Sequence, residues 1–414
     1  MTRRELFGAL AGGAAASAAA AGVAALVSPE GAMAQASEKA KPLNLKITSF
    51  KTFIVAPGQV YVKVYTNQGL VGLGQGLVTS KESTLAAAIM ENERLLAGKD
   101  PTQIEWIWQA MYQIPRWRGG PILNAAISAI DIALWDILGQ ALGQPIYKLL
   151  GGEARQRIRC YAGGGGDTPE SWAKTKADGF TASRVGPRGR SVIEMIESVK
   201  AMRKAAGPTH DIAIHDPRTY GYGTFTTPEA VQFCRGVEEC NLLFVEEVIT
   251  IESVDAWAHL RAHTTTPLAT GERGTTKYYF APFCARQLLD YLQPDVCSCG
   301  GILEMKKIAA MAEAYRIQMA PHNPNPPVGA FAIFHVDATM PNFVIQECGS
   351  GNYATQFNLD MHDGLVPVIK NGYAELPTRP GLGTVLNEKV AAKYPYKPTT
   401  RATGTEAPDG SVKW

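Results

Sequence analysis

The sequence predicts an α/β protein whose larger part closes into a (β/α)7β barrel, preceded by a smaller α+β module. Three observations carry that expectation. From Arg157 onward, short apolar runs alternate with helical stretches, eight runs in about 190 residues, and this alternation builds a parallel sheet that closes more readily than it stays open at that spacing. Nearly every run ends in an ionisable residue. Before Arg157 the texture differs, with alternating strands followed by one long apolar helix.

The first 36 residues stand apart from the fold. Thr2-Arg3-Arg4-Glu5-Leu6-Phe7 is a twin-arginine sequence, followed by a Gly/Ala-rich apolar stretch from Gly8 to Val27 and by Ala34-Gln35-Ala36, a small-x-small cleavage site. Residues 1–36 read as a twin-arginine (Tat) export signal, and the mature protein is expected in the periplasm or outside the cell. An uncleaved anchor is the alternative, since about twenty apolar residues can span a bilayer, but Ala and Gly dominate here and Leu and Val are few.

Composition narrows the function classes. With 414 residues and 46% hydrophobic content the chain can bury a large core, and 40 Lys and Arg against 38 Asp and Glu give a net charge of +2. No basic run suggests a groove for nucleic acid. The seven cysteines, Cys160, Cys234, Cys240, Cys284, Cys297, Cys299 and Cys348, are odd in number and scattered in apolar runs, so they read as buried thiols. Cys297-Ser298-Cys299 lacks the spacing of a zinc site.

Residues 43–157 form the first module. Val60-Tyr61-Val62-Lys63-Val64-Tyr65 reads as a strand ending at the turn Asn67-Gln68-Gly69. Ile127, Ile130, Leu134 and Leu138 recur at helical spacing within Ile122–Leu142, a helix closed near Gly143 and Gly151-Gly152. The barrel is expected over residues 158–376, its runs being Arg157–Ala162, Ala182–Gly186, Asp211–Asp216, Leu242–Glu247, Leu268–Glu272, Asp290–Asp295, Gln318–His322 and Phe343–Glu347. Residues 377–414, rich in Pro, Thr and Gly, are expected to pack back on the first module.

The run ends carry the chemistry. Arg184, Asp216, Glu246, Glu247, Glu272, Asp295, His322 and Glu347 lie at strand tips, which converge on one face of a barrel. Asp216, Glu246 and Glu272 come from consecutive strands, and three carboxylates held together in a partly buried site repel one another unless a cation sits between them. Mg²⁺ suits such a site because it takes a few carboxylates and completes its shell with water and substrate oxygens. The competing reading pairs each carboxylate with an Arg or Lys across the barrel mouth. Asp295 and His322, at neighbouring tips, can form a pair in which the carboxylate fixes the imidazole tautomer and leaves the second nitrogen as a base. His259, His263, His335 and His362 read as surface or core residues, and His215, preceding Asp216, is expected to point to the opposite side by strand alternation.

These residues, in this order, resemble a known family. Asp216, Val245-Glu246-Glu247, Thr270-Gly271-Glu272-Arg273, Gln293-Pro294-Asp295 with Gly300-Gly301-Ile302, Ala320-Pro321-His322 and Ile345-Gln346-Glu347 resemble the mandelate racemase subgroup of the enolase superfamily, nearest its sugar-acid dehydratases of the galactonate dehydratase type. The segment from Ala125 to Asp136 is similar to part of the family's capping domain. The resemblance implies a (β/α)7β TIM-like barrel with an N-terminal α+β capping domain. It implies Mg²⁺-dependent dehydration of an aldonate or aldarate to a 2-keto-3-deoxy acid, through α-proton abstraction and a metal-stabilised enediolate. Asp216, Glu246 and Glu272 would hold Mg²⁺, which would bind the substrate carboxylate. His322, oriented by Asp295, would exchange the proton, Glu347 would hydrogen-bond the substrate carboxylate opposite the metal, and Glu247 would support the site from beside the ligand. The partner implied is a small sugar-acid substrate, and family members commonly assemble as homo-oligomers.

Departures from the family pattern bear on the reaction. Where many members carry Lys-x-Lys on the second strand, this chain has Ala182-Ser183-Arg184-Val185, and Arg does not readily serve as a base. One evident base favours elimination over racemisation. The dehydratases' His two residues after the first ligand is here Arg218, in Asp216-Pro217-Arg218-Thr219-Tyr220, so Arg218 or Tyr220 would orient substrate or assist departure, or would only pack. Residues 56–59 and 77–83 are the cap loops that would close over substrate. Arg116-Trp117-Arg118 would add cationic contacts there or, the reading preferred, form a solvated Arg pair around a buried Trp, and Gly163 to Gly166 reads as an ordinary turn. The rival functions are a racemase, epimerase or cycloisomerase acting through the same intermediate, and a non-catalytic sugar-acid-binding protein.

Overall fold

In the computed structural model, residues 43–215, 225–348 and 352–398 are described. The twin-arginine segment, together with Asp216, Arg218 and Tyr220, lies outside them.

The first module opens with an antiparallel meander of β1 (Ile47–Val55), β2 (Gln59–Thr66) and β3 (Val71–Gly76). Its helices include α1 (Glu82–Glu91), α2 (Ile104–Gln113) and α3 (Pro121–Leu142). Helix α3 starts with Pro at its first turn, where no N–H is needed, and stops at Gly143 in the left-handed conformation at φ 64°. It lies almost on the backbone of β3. A Cβ at Gly72 would stand 2.1 Å from the Ala133 carbonyl oxygen and one at Gly74 1.8 Å from that of Ala129, so only glycine admits the helix this closely. By length and apolarity α3 could cross a membrane, yet it is mostly buried within the protein as the core helix of this module.

The barrel strands are β4 (Arg157–Gly163), β5 (Ala182–Val185), β6 (Asp211–His215), β7 (Phe244–Glu246), β8 (Leu268–Thr270), β9 (Tyr291–Leu292), β10 (Gln318–Met319) and β11 (Gln346–Glu347). Each consecutive pair from β4 to β10 runs parallel, β11 pairs parallel with β4, and the Met319–Phe343 bridge links the last strands. The eight runs expected from the sequence therefore close into a ring. Helices α4 (Ala173–Ala177), α5 (Val192–Ala206), α6 (Thr227–Gly236), α7 (Val254–Arg261), α8 (Thr276–Ala285), α9 (Gly301–Ala314) and α10 (Pro327–Asp337) occupy the crossovers.

Two packing layers result from the two-residue period of the strands. Tyr161, Ala182, Ala213, Phe244, Ala269, Ala320 and Ile345 form a separate buried cluster inside the ring, whereas Ile158, Ile212, Ile214 and Val245 join the larger core between strands and helices. All seven cysteines are buried and free, with Cys160 and Cys348 meeting Sγ to Sγ at 2.7 Å across the β4–β11 seam.

Three features depart from the sequence reading. A hairpin of β12 (Ile369–Lys370) and β13 (Tyr373–Glu375) pairs antiparallel with the first half of β4, because the N-terminal end of β4 lies below its contact with β11. Trp117 is 82% exposed rather than buried. Gly165 does more than turn the chain, since a Cβ there would meet the Trp172 ring at 2.7 Å. Within the final segment, Leu382 donates its N–H to Asp136 of α3, and Lys63 of β2 reaches both the Leu386 carbonyl and Glu388.

Candidate active site

The inner layer fixes what stands at the barrel mouth. Two residues beyond Ala182, Ala213, Phe244, Ala320 and Ile345 come Arg184, His215, Glu246, His322 and Glu347, which the period of two directs to the same side. This corrects the expectation for His215. Counted from Ala213 it faces inward, and its Nε2 lies 3.8 Å from Glu246 Oε1, its neighbour in register on β7.

Arg184 anchors one wall. Its guanidinium donates to both oxygens of Glu246, at 3.0 and 3.3 Å, and to Glu347. Burial disfavours the charge, but Tyr161, Glu246 and Glu347 outweigh it and hold Arg184 firmly protonated. Burial likewise works against the Glu246 carboxylate, and the charges of Arg184, His215 and His322 prevail, lowering its pKa. Arg184 is thus a structural cation of the site and no base.

His322 stands on the opposite wall. Its Nδ1 is 2.8 Å from Asp295 Oδ2, while Nε2 faces Glu272 at 3.3 Å and Glu347 at 3.9 Å. The fully buried Asp295 also accepts the N–H of Cys297 at 2.7 Å and the side-chain amide of Asn325 at 3.2 Å to each oxygen. Burial opposes the imidazolium, yet the hydrogen bond to Asp295 and the charges of Glu347, Asp295 and Glu272 raise the pKa of His322 to about 10. A group of added positive charge beside Glu272 would counter that rise.

The metal question can be tested on the donors themselves. One ligand atom each from His215, Glu246 and Glu272 lies within 4.8 Å of the others, at the ends of β6 and β7 and two residues beyond β8. Nearby Glu247 turns away at a left-handed φ of 49° to meet Arg273 at 3.1 Å. Burial, and after it the charge of Glu272, push its carboxyl up to about 8 even so. The donors fit a divalent cation.

The capping module reaches this machinery. Gln75 at the end of β3 donates to Asn325 Oδ1 at 3.4 Å and accepts from the Gly329 N–H at 2.9 Å, and Leu77 donates to the Cys297 carbonyl at 3.1 Å. Gln59, from the first expected cap loop, lines a cavity of 220 Å³ with Asn323, Asn325 and Tyr353. Arg116 and Arg118 lie elsewhere: Arg118 bonds Gln113 and stacks on Tyr112. Sequence reasoning missed His215, Gln75 and Asn325. Only the phase of the inward layer would have found the first.

A capped (β/α)7β barrel with acidic residues and an Asp-held His at its mouth defines an enzyme of the enolase superfamily. Residues 168–390 match the enolase C-terminal domain-like family, and residues 31–151 match the mandelate racemase / muconate lactonizing enzyme N-terminal domain. The chain belongs to that family and is an enolase-superfamily lyase. It is 34% identical over 384 residues to a D-galactonate dehydratase of Ralstonia pickettii, covering 89% of this chain and 99% of the relative. It is 35% identical to that of Xanthomonas axonopodis over 368 residues, covering 86% and 95%. Among solved structures, an enolase from Pantoea ananatis with bound D-gluconate and Mg superposes with a TM-score of 0.80 at 29% identity, covering 89% of this chain and 100% of that one. An enolase from Agrobacterium radiobacter with Na and L-malate also gives 0.80 at 29%, covering 89% and 99%.

Proposed function

We propose that the enzyme removes water from a sugar acid, an aldonate or aldarate, giving a 2-keto-3-deoxy acid. The observation that carries this reading is that His322 is the one evident base among the described residues, its Nδ1 committed to Asp295 and its Nε2 facing the mouth between Glu272 and Glu347. The D-galactonate dehydratases to which the chain is similar support the same substrate class.

Glu246 and Glu272, together with Asp216 as read from the sequence or its neighbour His215, would hold the divalent cation, Mg²⁺ being the ion in the Pantoea neighbour. When bound, that cation supplies positive charge against the substrate carboxylate as the α-proton departs. His322 Nε2 takes the proton from C2, and Asp295 holds the imidazolium that forms. Glu347, positioned by Arg184 and by the Asn323 N–H at 3.0 Å, would hydrogen-bond the substrate carboxylate. The imidazolium returns its proton to the C3 hydroxyl, which leaves as water, and the enol tautomerises to the 2-keto acid. Arg184 balances Glu246 and Glu347 throughout.

The test is incubation with Mg²⁺ and a panel of aldonic and aldaric acids, with assay for 2-keto-3-deoxy product against an EDTA-treated control. Cation-dependent product from one acid is expected. Solvent deuterium entering C2 with no loss of water would replace dehydration by racemisation or epimerisation.

We also propose Tat export, on the strength of Arg3-Arg4 ahead of the apolar run Gly8–Val27. The full chain should fractionate with the periplasm, and an R3K/R4K double variant should remain in the cytoplasm; unchanged fractionation would overturn it.

A further inference from the structure

We infer that His215 is a direct nitrogen ligand of the cation, so that the site is a mixed imidazole–carboxylate centre. The inference rests on the reading of this mouth as cation-dependent, and on three independent features of β6.

The first is phase. Ala213 belongs to the layer inside the ring and Ile212 and Ile214 to the outer core, so the inward position at the tip of β6 belongs to His215. The second is register. His215 pairs with Glu246 across β6 and β7, at the height where Arg184 and Glu246 meet. The third is distance. Its Nε2 stands 3.8 Å from Glu246 Oε1, at ion-pair separation, and a donor atom of each of His215, Glu246 and Glu272 falls within 4.8 Å of the others. That spacing places the three donors around a common point within reach of one cation.

The consequence is a change in cation class. Carboxylates suit Mg²⁺, Ca²⁺ and Mn²⁺, whereas imidazole suits Zn²⁺, Fe²⁺ and Ni²⁺. Every site binds late transition ions more tightly than early ones, so preference alone proves nothing; its change on substitution does. Replacing the imidazole by a carboxylate should shift relative affinity back toward Mg²⁺, by at least the roughly tenfold that loss of a mere outer partner costs.

The experiment reads the metal and not turnover. The mature protein is loaded with Mn²⁺ and examined by pulsed electron paramagnetic resonance for coupling to a directly bound ¹⁴N, alongside His215→Asp, His322→Gln and Asp216→Asn, each checked for folding by circular dichroism. Affinities for Co²⁺ and Mg²⁺ are measured in parallel by competition with a chromophoric chelator. Strong ¹⁴N coupling is expected in the parent protein, in His322→Gln and in Asp216→Asn, and its loss in a His215→Asp variant that still binds Mn²⁺ and has a lower Co²⁺/Mg²⁺ affinity ratio. Absence of coupling in the parent would overturn the inference even if no variant folds. So would coupling that survives His215→Asp and vanishes in His322→Gln, or loss of Mn²⁺ binding on Asp216→Asn alone. Because no sugar acid is present, failure of the dehydratase reading would show separately, as a loaded protein with nitrogen coupling and no product.

Discussion

Asn325 donates its amide to both carboxylate oxygens of Asp295, 3.2 Å to each, and shares Oδ2 with the His322 Nδ1 contact. Gln75 of the capping module in turn donates to Asn325. The base is therefore oriented through a chain that begins in another module, Gln75 to Asn325 to Asp295 to His322. Asn325→Ala removes two of the contacts on Asp295 and leaves the Cys297 N–H in place. The expected result is a fall in kcat of about 10–100-fold, the cost of losing an outer hydrogen-bond partner, with KM and cation affinity little changed. An equal rise in KM and fall in kcat would indicate a reshaped pocket instead of a misdirected base.

His322 itself carries the proton, and its removal should be more severe. His322→Asn should lower dehydration and C2 deuterium exchange together by about 10²–10⁴-fold, the range for a positioned general base, while substrate still binds by calorimetry. Exchange that persists in the variant would assign the base to another residue.

Arg184 makes a prediction about stability. It lies between two carboxylates, Glu246 and Glu347, each with a side chain no more than 4% exposed. Arg184→Met removes the guanidinium from both, and breaking a buried pair this way costs about 3–5 kcal/mol. Urea denaturation in EDTA should show that loss. Saturating divalent cation should recover part of it, since positive charge beside Glu246 replaces the guanidinium, and a loss of the same size with and without cation would disconnect Arg184 from the metal site.

How much of this was legible depends on the kind of signal. The barrel and the ionisable tips were readable because strand interiors must be apolar and any charge at a strand end must answer for its desolvation. Arg184, Glu246, Glu272, Asp295, His322 and Glu347 do gather at one mouth. His215 was missed because alternation was counted from Asp216 and not from the inward layer. The pattern of an inward residue, one between, then an ionisable one recurs at Ala182–Arg184, Ala213–His215, Phe244–Glu246 and Ala320–His322, but it emerges only when several strands are phased together. Gln75 and Asn325 left no such mark, since their roles depend on the docking of the capping module against the barrel. The β12–β13 hairpin escaped because its strands are two and three residues long.

Acid should destabilise the fold through a histidine remote from the catalytic base. His335 on α10 is fully buried, its Nδ1 facing the Tyr147 N–H at 3.3 Å and its Nε2 facing the Leu382 carbonyl at 3.1 Å. The ring must accept at Nδ1 and donate at Nε2, which only the neutral imidazole can do. Burial lowers its pKa from 6.5 to about 4, against a small opposing effect of the bond to Leu382. The sign follows: between those two values the unfolded chain binds a proton that the native state refuses, so stability is complete above pH 6.5 and is lost as pH falls toward 4. At about pH 5 this single site should cost about 2 kcal/mol. His362 and His210, also lowered to about 4 chiefly by burial, act in the same direction. The check is a comparison of unfolding free energy at about pH 7.5 and pH 5 for the parent and for His335→Gln. The variant should be less stable at the higher pH and lose less on acidification. An unchanged pH slope would mean that the acid sensitivity resides in other groups.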